Sequence, residues 1–301
     1  MVSKRVAVIG VSLSLVAAAG CGLASREESH QMPISSAAAS LALPAASDSV
    51  QHHSSIDRLP IYWLENTELG VFLYREYATK NVTGEPIGDS ISYLLNEKSV
   101  NPEWYTHLKP SNEVGVSMNK ENVITLDLPA KVFSAKLDRG LSERTIQQLV
   151  FTATAAASNA GLLIGTLPPK VKILVDGQAN ATVFGDLRLA DSYERDASFM
   201  APIWIIDPQF GSTTKAGQVK FSGRTANFTD GIYYSLENKD KTGKLTVLTA
   251  AEAIKASSIK KDGSFSFTTQ LGVGSYKLTF WGQEAGSTKK IASVSSEFTI
   301  R

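Results

Sequence analysis

Val123-Ile124-Thr125-Leu126-Asp127-Leu128 sets Ile124, Leu126 and Leu128 against Val123, Thr125 and Asp127, the period-two pattern of a strand with one buried face. Val114 to Met118 precedes it and reads as its partner, joined through Asn119-Lys120-Glu121-Asn122. Downstream, Ile146, Leu149, Val150, Ala153 and Ala157 recur at helical spacing, with Ser142 as the expected N-cap and Glu143 in the first turn, where the helix dipole favours a negative charge. Val171 to Val175 is then a short strand stopped by Asp176-Gly177. Upstream, Gly70 to Tyr77 reads as a strand, and Ile87, Ile91, Leu94 and Leu95 as a helix face opened by Pro86 and broken by Asn101-Pro102. The order β-α-β-β-α-β predicts an α+β domain over 58–197 with two helices covering one face of a sheet.

Beyond about Pro202 the helical period disappears. Strands are expected at Ile203 to Ile206, Val219 to Gly223, Ile232 to Glu237, Leu245 to Thr249, Ser264 to Thr269, Tyr276 to Trp281 and Val294 to Ile300. Turn chemistry separates them, as in Asp230-Gly231, Asp262-Gly263 and Gly272-Val273-Gly274. Short strands at this spacing predict an immunoglobulin-like β-sandwich over 198–301, with Phe221, Tyr234, Phe265, Phe267, Leu278, Phe280 and Phe298 in its core. Ala250 to Ala256 is helix-prone and reads as a short crossover.

The N-terminus carries a different signal. Lys4 and Arg5 precede an uncharged run from Val6 to Gly20, which has the form of a secretory signal peptide. That run is shorter than the ~20 residues a spanning helix needs. It ends at Ala18-Ala19-Gly20-Cys21, and Cys21 is the sole cysteine of the chain. The quartet resembles the bacterial lipobox, which implies cleavage after residue 20, a diacylglyceryl group on the Cys21 thiol and an anchor on the outer face of the cytoplasmic membrane. An ordinary signal peptide with a chance cysteine is the alternative. Residues 22 to 57 are rich in Ser and Ala and lack aromatic residues, so they are expected to form a tether with an r.m.s. reach of about 30 to 36 Å. His52-His53 falls in this tether and is expected to be solvated rather than metal-bound.

Composition narrows the function. Thirty Lys and Arg face 29 Asp and Glu, and loss of residues 1 to 20 leaves 28 against 29, so no global positive field is present to recruit nucleic acid. A single cysteine removes internal disulfides and thiolate-rich metal sites. No cofactor is expected.

From Gly70 to about Gly185 the chain resembles the GerMN domain of bacterial sporulation and germination lipoproteins. The resemblance rests on Val71-Phe72-Leu73-Tyr74, the helix ending Leu94-Leu95, Val123 to Leu128, Gln148-Leu149-Val150-Phe151-Thr152 and Val175-Asp176-Gly177. The C-terminal stretch resembles the immunoglobulin-like domain that accompanies GerMN, through Pro202-Ile203, Phe221 to Phe228, Gly263-Ser264-Phe265 and Phe280-Trp281. Thr229 departs from the acidic residue that the family often places after the Phe. The resemblance implies a noncatalytic binding or scaffolding part of the envelope, with Trp104, Tyr105, Phe228 and Thr229 as candidate interaction residues and envelope proteins as partners. It does not by itself imply sporulation.

Two further function classes remain in view. A peptidoglycan- or glycan-binding accessory would stack sugar rings on Tyr62-Trp63 or Trp104-Tyr105, although core packing accounts for these aromatics more simply. A wall hydrolase would rely on His107. The chain has no G-x-S-x-G, H-E-x-x-H or P-loop, and the expectation is that it is not an enzyme. Asp127 and Asp176 suit strand-face and turn roles, and Leu162-Leu163-Ile164 between Gly161 and Gly165 is expected to pack under the sheet. Lys255, Lys260 and Lys261 read as charges that block a sheet edge.

Overall fold

The computed structural model describes residues 58–79, 83–226, 228, 231–283 and 288–301. It opens with a hairpin of β1 (Leu59–Thr67) and β2 (Gly70–Ala78), in register from Leu59 opposite Ala78 to Thr67 opposite Gly70. On its outer edge the backbone N–H of Tyr62 donates to Thr152 Oγ1 at 3.1 Å, and Leu64 exchanges 2.9 Å backbone bonds with Tyr105. The edge is therefore covered rather than free.

Helix α1 (Pro86–Asn96) starts on Pro86 and buries Ile87, Ile91, Leu94 and Leu95. Strands β3 (Gly115–Met118) and β4 (Val123–Leu128) pair antiparallel, and helix α2 (Arg139–Asn159) carries the chain to β5 (Lys170–Val175), which lies parallel to β4. α2 is enclosed on more than its apolar stripe: Thr145, Gln148, Thr152 and Thr154 are buried with Ile146, Leu149 and Val150. Leu149 and Val150 share the main core with Trp63 and Ile91, while Phe151 and Ala155 join Tyr62, Leu64 and Leu73 in a smaller cluster. A short pair, β6 (Thr182–Val183) with β7 (Leu187–Arg188), closes this α+β part.

The remainder is β-structure: β8 (Ile203–Asp207), β9 (Thr213–Thr214), β10 (Gly217–Thr225), β11 (Ile232–Lys239), β12 (Leu245–Ala253), β13 (Ser264–Leu271), β14 (Gly274–Gly282) and β15 (Ile291–Ile300). They form sheets of order β13-β10-β8 and β12-β11-β14-β15-β9. The sheets share one core, in which Phe221 meets Phe298 at 6.0 Å and Phe265 meets Phe280 at 5.1 Å, both edge to face. Tyr74 of β2 is buried in this second core, with Phe72 and Trp104 packed against it, so the α+β part and the β part are joined by shared apolar contacts.

Several sequence expectations are corrected. β1 is an additional strand ahead of the predicted order, and the strands divide between a β1-β2 hairpin and a β3-β4-β5 sheet rather than forming one sheet. The N-cap of α2 is Asp138, whose carboxylate accepts from Leu141 N at 3.0 Å; Ser142 lies inside the helix and donates to Asp138 O. Ala250 to Ala253 continue β12 and are not a helical crossover. The 161–165 loop leaves Leu162 and Ile164 exposed, because its backbone is held from the other side by Asn122: Nδ2 donates to Ile164 O at 2.8 Å and Leu167 O at 2.9 Å, and Oδ1 accepts from Ile164 N at 2.9 Å. Cys21, His52, His53 and Thr229 lie outside the described residues.

Candidate functional site

The segment from Asn101 to Leu108 holds the candidate residues Trp104, Tyr105 and His107. Asn101 Oδ1 accepts from Glu103 N at 3.0 Å and shapes a turn, after which Tyr105 pairs with Leu64. Thr106 Oγ1 donates to Gln148 Oε1 at 2.9 Å, and Gln148 Nε2 donates to Tyr105 O at 3.2 Å. A fully buried amide of α2 thus fixes the loop from below.

This fixing aims the Trp104 ring between the two cores. Its Nε1 donates to Glu65 Oε2 at 2.7 Å, and its face stacks on Tyr74 with centroids 5.4 Å apart. Burial raises the Glu65 carboxyl above its ordinary range, a shift that the Trp104 hydrogen bond opposes and the nearby Glu103 charge reinforces. Tyr74 is also pushed up, by burial and then by the charge of Glu65, and its hydroxyl has no hydrogen-bond partner among the described residues. On the same hairpin face Glu76 Oε2 accepts from Ser99 Oγ at 2.7 Å and from Val100 N at 3.2 Å, while Oε1 is buried without a partner. Burial raises Glu76 as well, against these hydrogen bonds. Trp63 Nε1 makes no well-formed hydrogen bond to it but lies near enough to favour its charged form.

Tyr74, Glu76, Trp104 and Trp204 border a cavity of about 40 Å³. That is room for one or a few waters, not for a sugar ring. Tyr62 and Trp63, the other candidate stacking pair, are 3% and 1% exposed. The aromatic cluster that the sequence offers to a glycan is therefore built into the packing between the two parts.

His107 is half-buried with Tyr105 edge-on at 5.2 Å, and its Nε2 is buried without a hydrogen-bond partner. Burial and the Lys109 charge lower its pKa, against a weaker pull from Asp138, so the imidazole is neutral at pH 7. Asp127 and Asp176 serve backbone turns: Asp127 Oδ1 accepts from Gly177 N at 2.9 Å, and Asp176 Oδ1 from Ala130 N at 3.3 Å. Among the described residues no group of three His, Cys, Asp or Glu is placed to hold a metal ion. Nor is any helix there long and apolar enough to cross a membrane.

Phe228 is half-buried over Gly282, where a Cβ would come within 2.5 Å of its ring. Its backbone N–H donates to Thr225 Oγ1 at 3.0 Å. The apolar side chains that do face outward are not assigned a surface role by the sequence, which places Ile164 under the sheet. On β12, Val247 is 57% and Leu248 53% exposed, and beside β3 the loop side chains Ile164 and Leu167 are 58% and 59% exposed. β12 is an edge strand followed by exposed Lys255, and Lys260 and Lys261 precede β13, an edge strand of the other sheet. The pattern Leu245-Thr246-Val247-Leu248 is that of any sheet strand; only the strand order reveals it as an edge.

Among solved structures the chain is similar to the first GerMN domain of the sporulation protein GerM from Bacillus subtilis, at 14% identity over 46% of this chain and 97% of that one, with a TM-score of 0.35. It is also similar to the tandem GerMN domains of that protein, at 14% identity over 68% of this chain and 62% of that one, with a TM-score of 0.37. A comparison with curated proteins finds no match. Residues 60–181 match the family model described as Germane, sporulation and spore germination. Over residues 60–181, ahead of an all-β part, the chain is similar to the Germane family of sporulation and spore germination domains.

Proposed function

We propose that this chain is an extracytoplasmic lipoprotein, anchored through Cys21 on the outer face of the cytoplasmic membrane, whose folded part binds other envelope proteins rather than catalysing a reaction. In this reading residues 58–197 are the GerMN-like domain and residues 198–301 an immunoglobulin-like sandwich. The family description adds sporulation or spore germination as the process in which to look for its partners.

The observation that carries the reading is β12. Among the described residues it pairs only with β11, and Leu245, Val247 and Leu248 are all exposed on it. A strand edge with apolar side chains offers both backbone hydrogen bonds and side-chain pockets to an added strand. Two irregularities in its pairing with β11, together with Lys255 at its end, restrict indiscriminate pairing, so a partner must match the edge.

Crosslinking in cells with the wild type and with Val247→Glu/Leu248→Glu tests the docking. Loss of one defined adduct in the variant, with an unchanged melting temperature, supports it. An unchanged adduct pattern, or retention of the wild type by protein-free peptidoglycan, counts against it. The anchor is tested separately with Cys21→Ser, which should lose metabolic palmitate labelling; label on the variant would overturn the anchor.

A further inference from the structure

A cleft of about 280 Å³ between the α+β part and the β part is lined by Arg75, Arg195 and Arg224, with Tyr62, Phe151 and Trp204 forming apolar walls. The register places these residues. Arg75 is the cross-strand partner of Tyr62 in the β1-β2 hairpin, and Arg224 is the cross-strand partner of Trp204 between β10 and β8. Arg195 comes from the segment that connects the two parts, with its guanidinium carbon 5.1 Å from the Phe151 ring centre and 5.9 Å from that of Tyr62. The Arg224 guanidinium carbon is 5.5 Å from the Trp204 ring centre. Three separate elements thus deliver cations to one cleft.

Among the described residues only Arg224 has a carboxylate nearby, Asp262, whose pKa is lowered by hydrogen bonds from Ser264 and, less, by the Arg224 charge. None of the three is within ion-pair distance of a carboxylate there. Arg195 donates from Nε to Thr154 Oγ1 at 2.6 Å and from Nη2 to Phe151 O at 3.2 Å, both uncharged acceptors. Arg224 donates from Nε to the backbone carbonyl of Asp262 at 2.7 Å, while the carboxylate of Asp262 accepts from the N–H and hydroxyl of Ser264. The Arg75 guanidinium lies 4.7 Å over the Tyr77 ring and makes no hydrogen bond within the described residues, so its N–H donors are open to a ligand. Arg195 is exposed as a residue, yet desolvation of its guanidinium lowers its pKa, opposed by Tyr62 and reinforced by Arg75. Grouping like charges in a partly desolvated cleft is unfavourable unless an anion joins them.

We propose that this cleft binds a small phosphate-bearing ligand, its phosphoryl oxygens held by Arg75, Arg195 and Arg224 and its organic part lying against the partly exposed Trp204 and Met200. A carboxylate has two coplanar oxygens and is matched by one guanidinium fork; a tetrahedral phosphoryl group can address donors arriving from three directions. Past Arg224 the cleft opens into a second hollow lined by Lys260 and Lys261, which extends the positive field toward the entrance. This inference is independent of docking at β12.

The test is calorimetric titration of the full chain with phenyl phosphate, inorganic phosphate, the diester glycerophosphoglycerol and phenylacetate. Saturable binding of phenyl phosphate, tighter than inorganic phosphate and weakened roughly 10-fold or more by Arg75→Gln and by Arg224→Gln, is expected. Arg75→Gln breaks no hydrogen bond within the described residues, whereas Arg224→Gln also gives up the bond to Asp262 O, so melting temperatures are measured beside the affinities and the Arg75 variant carries the decision. Arg195→Gln is less suitable because it also breaks the bond to Thr154. A preference for the monoester supports a free phosphorylated ligand; equal or tighter binding of the diester supports a polymer source of the same phosphoryl chemistry. No saturable binding of either, affinity unchanged in both variants, or equally tight phenylacetate binding overturns the proposal.

Discussion

The indole N–H of Trp104 reaches Glu65 Oε2 at 2.7 Å while the opposite side of the Trp104 contact network belongs to the β part, so one side chain is packed against both cores. Trp104→Phe retains stacking on Tyr74 but leaves the half-buried Glu65 carboxylate without its donor. Losing a hydrogen bond to a charged group costs about 2 kcal/mol. Urea unfolding should show that loss for Trp104→Phe and a larger one for Trp104→Ala, and a double-mutant cycle with Glu65→Gln should reveal coupling between the positions.

Glu76 makes a distinct prediction about pH. Burial raises its folded-state pKa, so between the unfolded and folded values the folded chain holds more protons and stability falls as pH rises. The contribution is fully present below the usual carboxylate range and is lost as pH climbs through the raised value. Glu76→Gln should abolish this component: the difference in unfolding free energy between variant and wild type shifts in favour of the variant from acid to neutral pH. Other groups, such as His107 with its lowered pKa, act in the opposite sense but are common to both proteins and drop out of the difference.

Gly263 has φ +79° and lies where a Cβ would overlap the carbonyl oxygen of Thr225. The same close approach lets Thr225 N donate to Gly263 O at 2.9 Å, which ties the start of β13 to the end of β10. Gly263→Ala combines left-handed strain with a backbone clash and should cost about 3 kcal/mol or more. Gly243→Ala is the matched control, since Gly243 has φ +84° but open space around it. Its cost should stay near 1 kcal/mol, and equal melting temperatures for the two variants would refute the steric argument.

The parts of the fold that were legible are those in which one face is buried. Ile87, Ile91, Leu94 and Leu95 disclose α1, and Ile124, Leu126 and Leu128 disclose β4, because each has an apolar and a polar side. β1 gives no strand signal because Leu59 to Leu64 is buried on both faces and shows no alternation, with Pro60 weakening the pattern further. Asp138 does not read as the α2 cap because Gly140 interrupts the helical pattern directly after it. Trp104 and Tyr105 were visible as candidates by residue type, yet their roles depend on Glu65, Tyr74 and Gln148, which are remote in sequence. The arginine cleft was not legible for the same reason: cross-strand register and strand order alone bring Arg75, Arg195 and Arg224 together.

Whether the β part stands alone is the last prediction. Its two sheets close around Phe221, Phe265, Leu278, Phe280 and Phe298, all contributed from within 202–301, so a fragment of these residues should fold, giving a strand-rich circular dichroism spectrum and a cooperative melt. The same core also takes in Tyr74, which is 2% exposed, with Phe72 and Trp104 packed beside it. The fragment lacks all three, so it should be less stable than the β part within the full chain by about 3 kcal/mol, the loss typical of removing one large buried aromatic. Tyr74→Ala in the full chain should reproduce much of that loss, which separates the missing side chain from the effect of cutting the chain. A helical spectrum, or no transition on heating, would show that the β part depends on the α+β part to fold; a fragment as stable as the full chain would show that the Tyr74 contact contributes little.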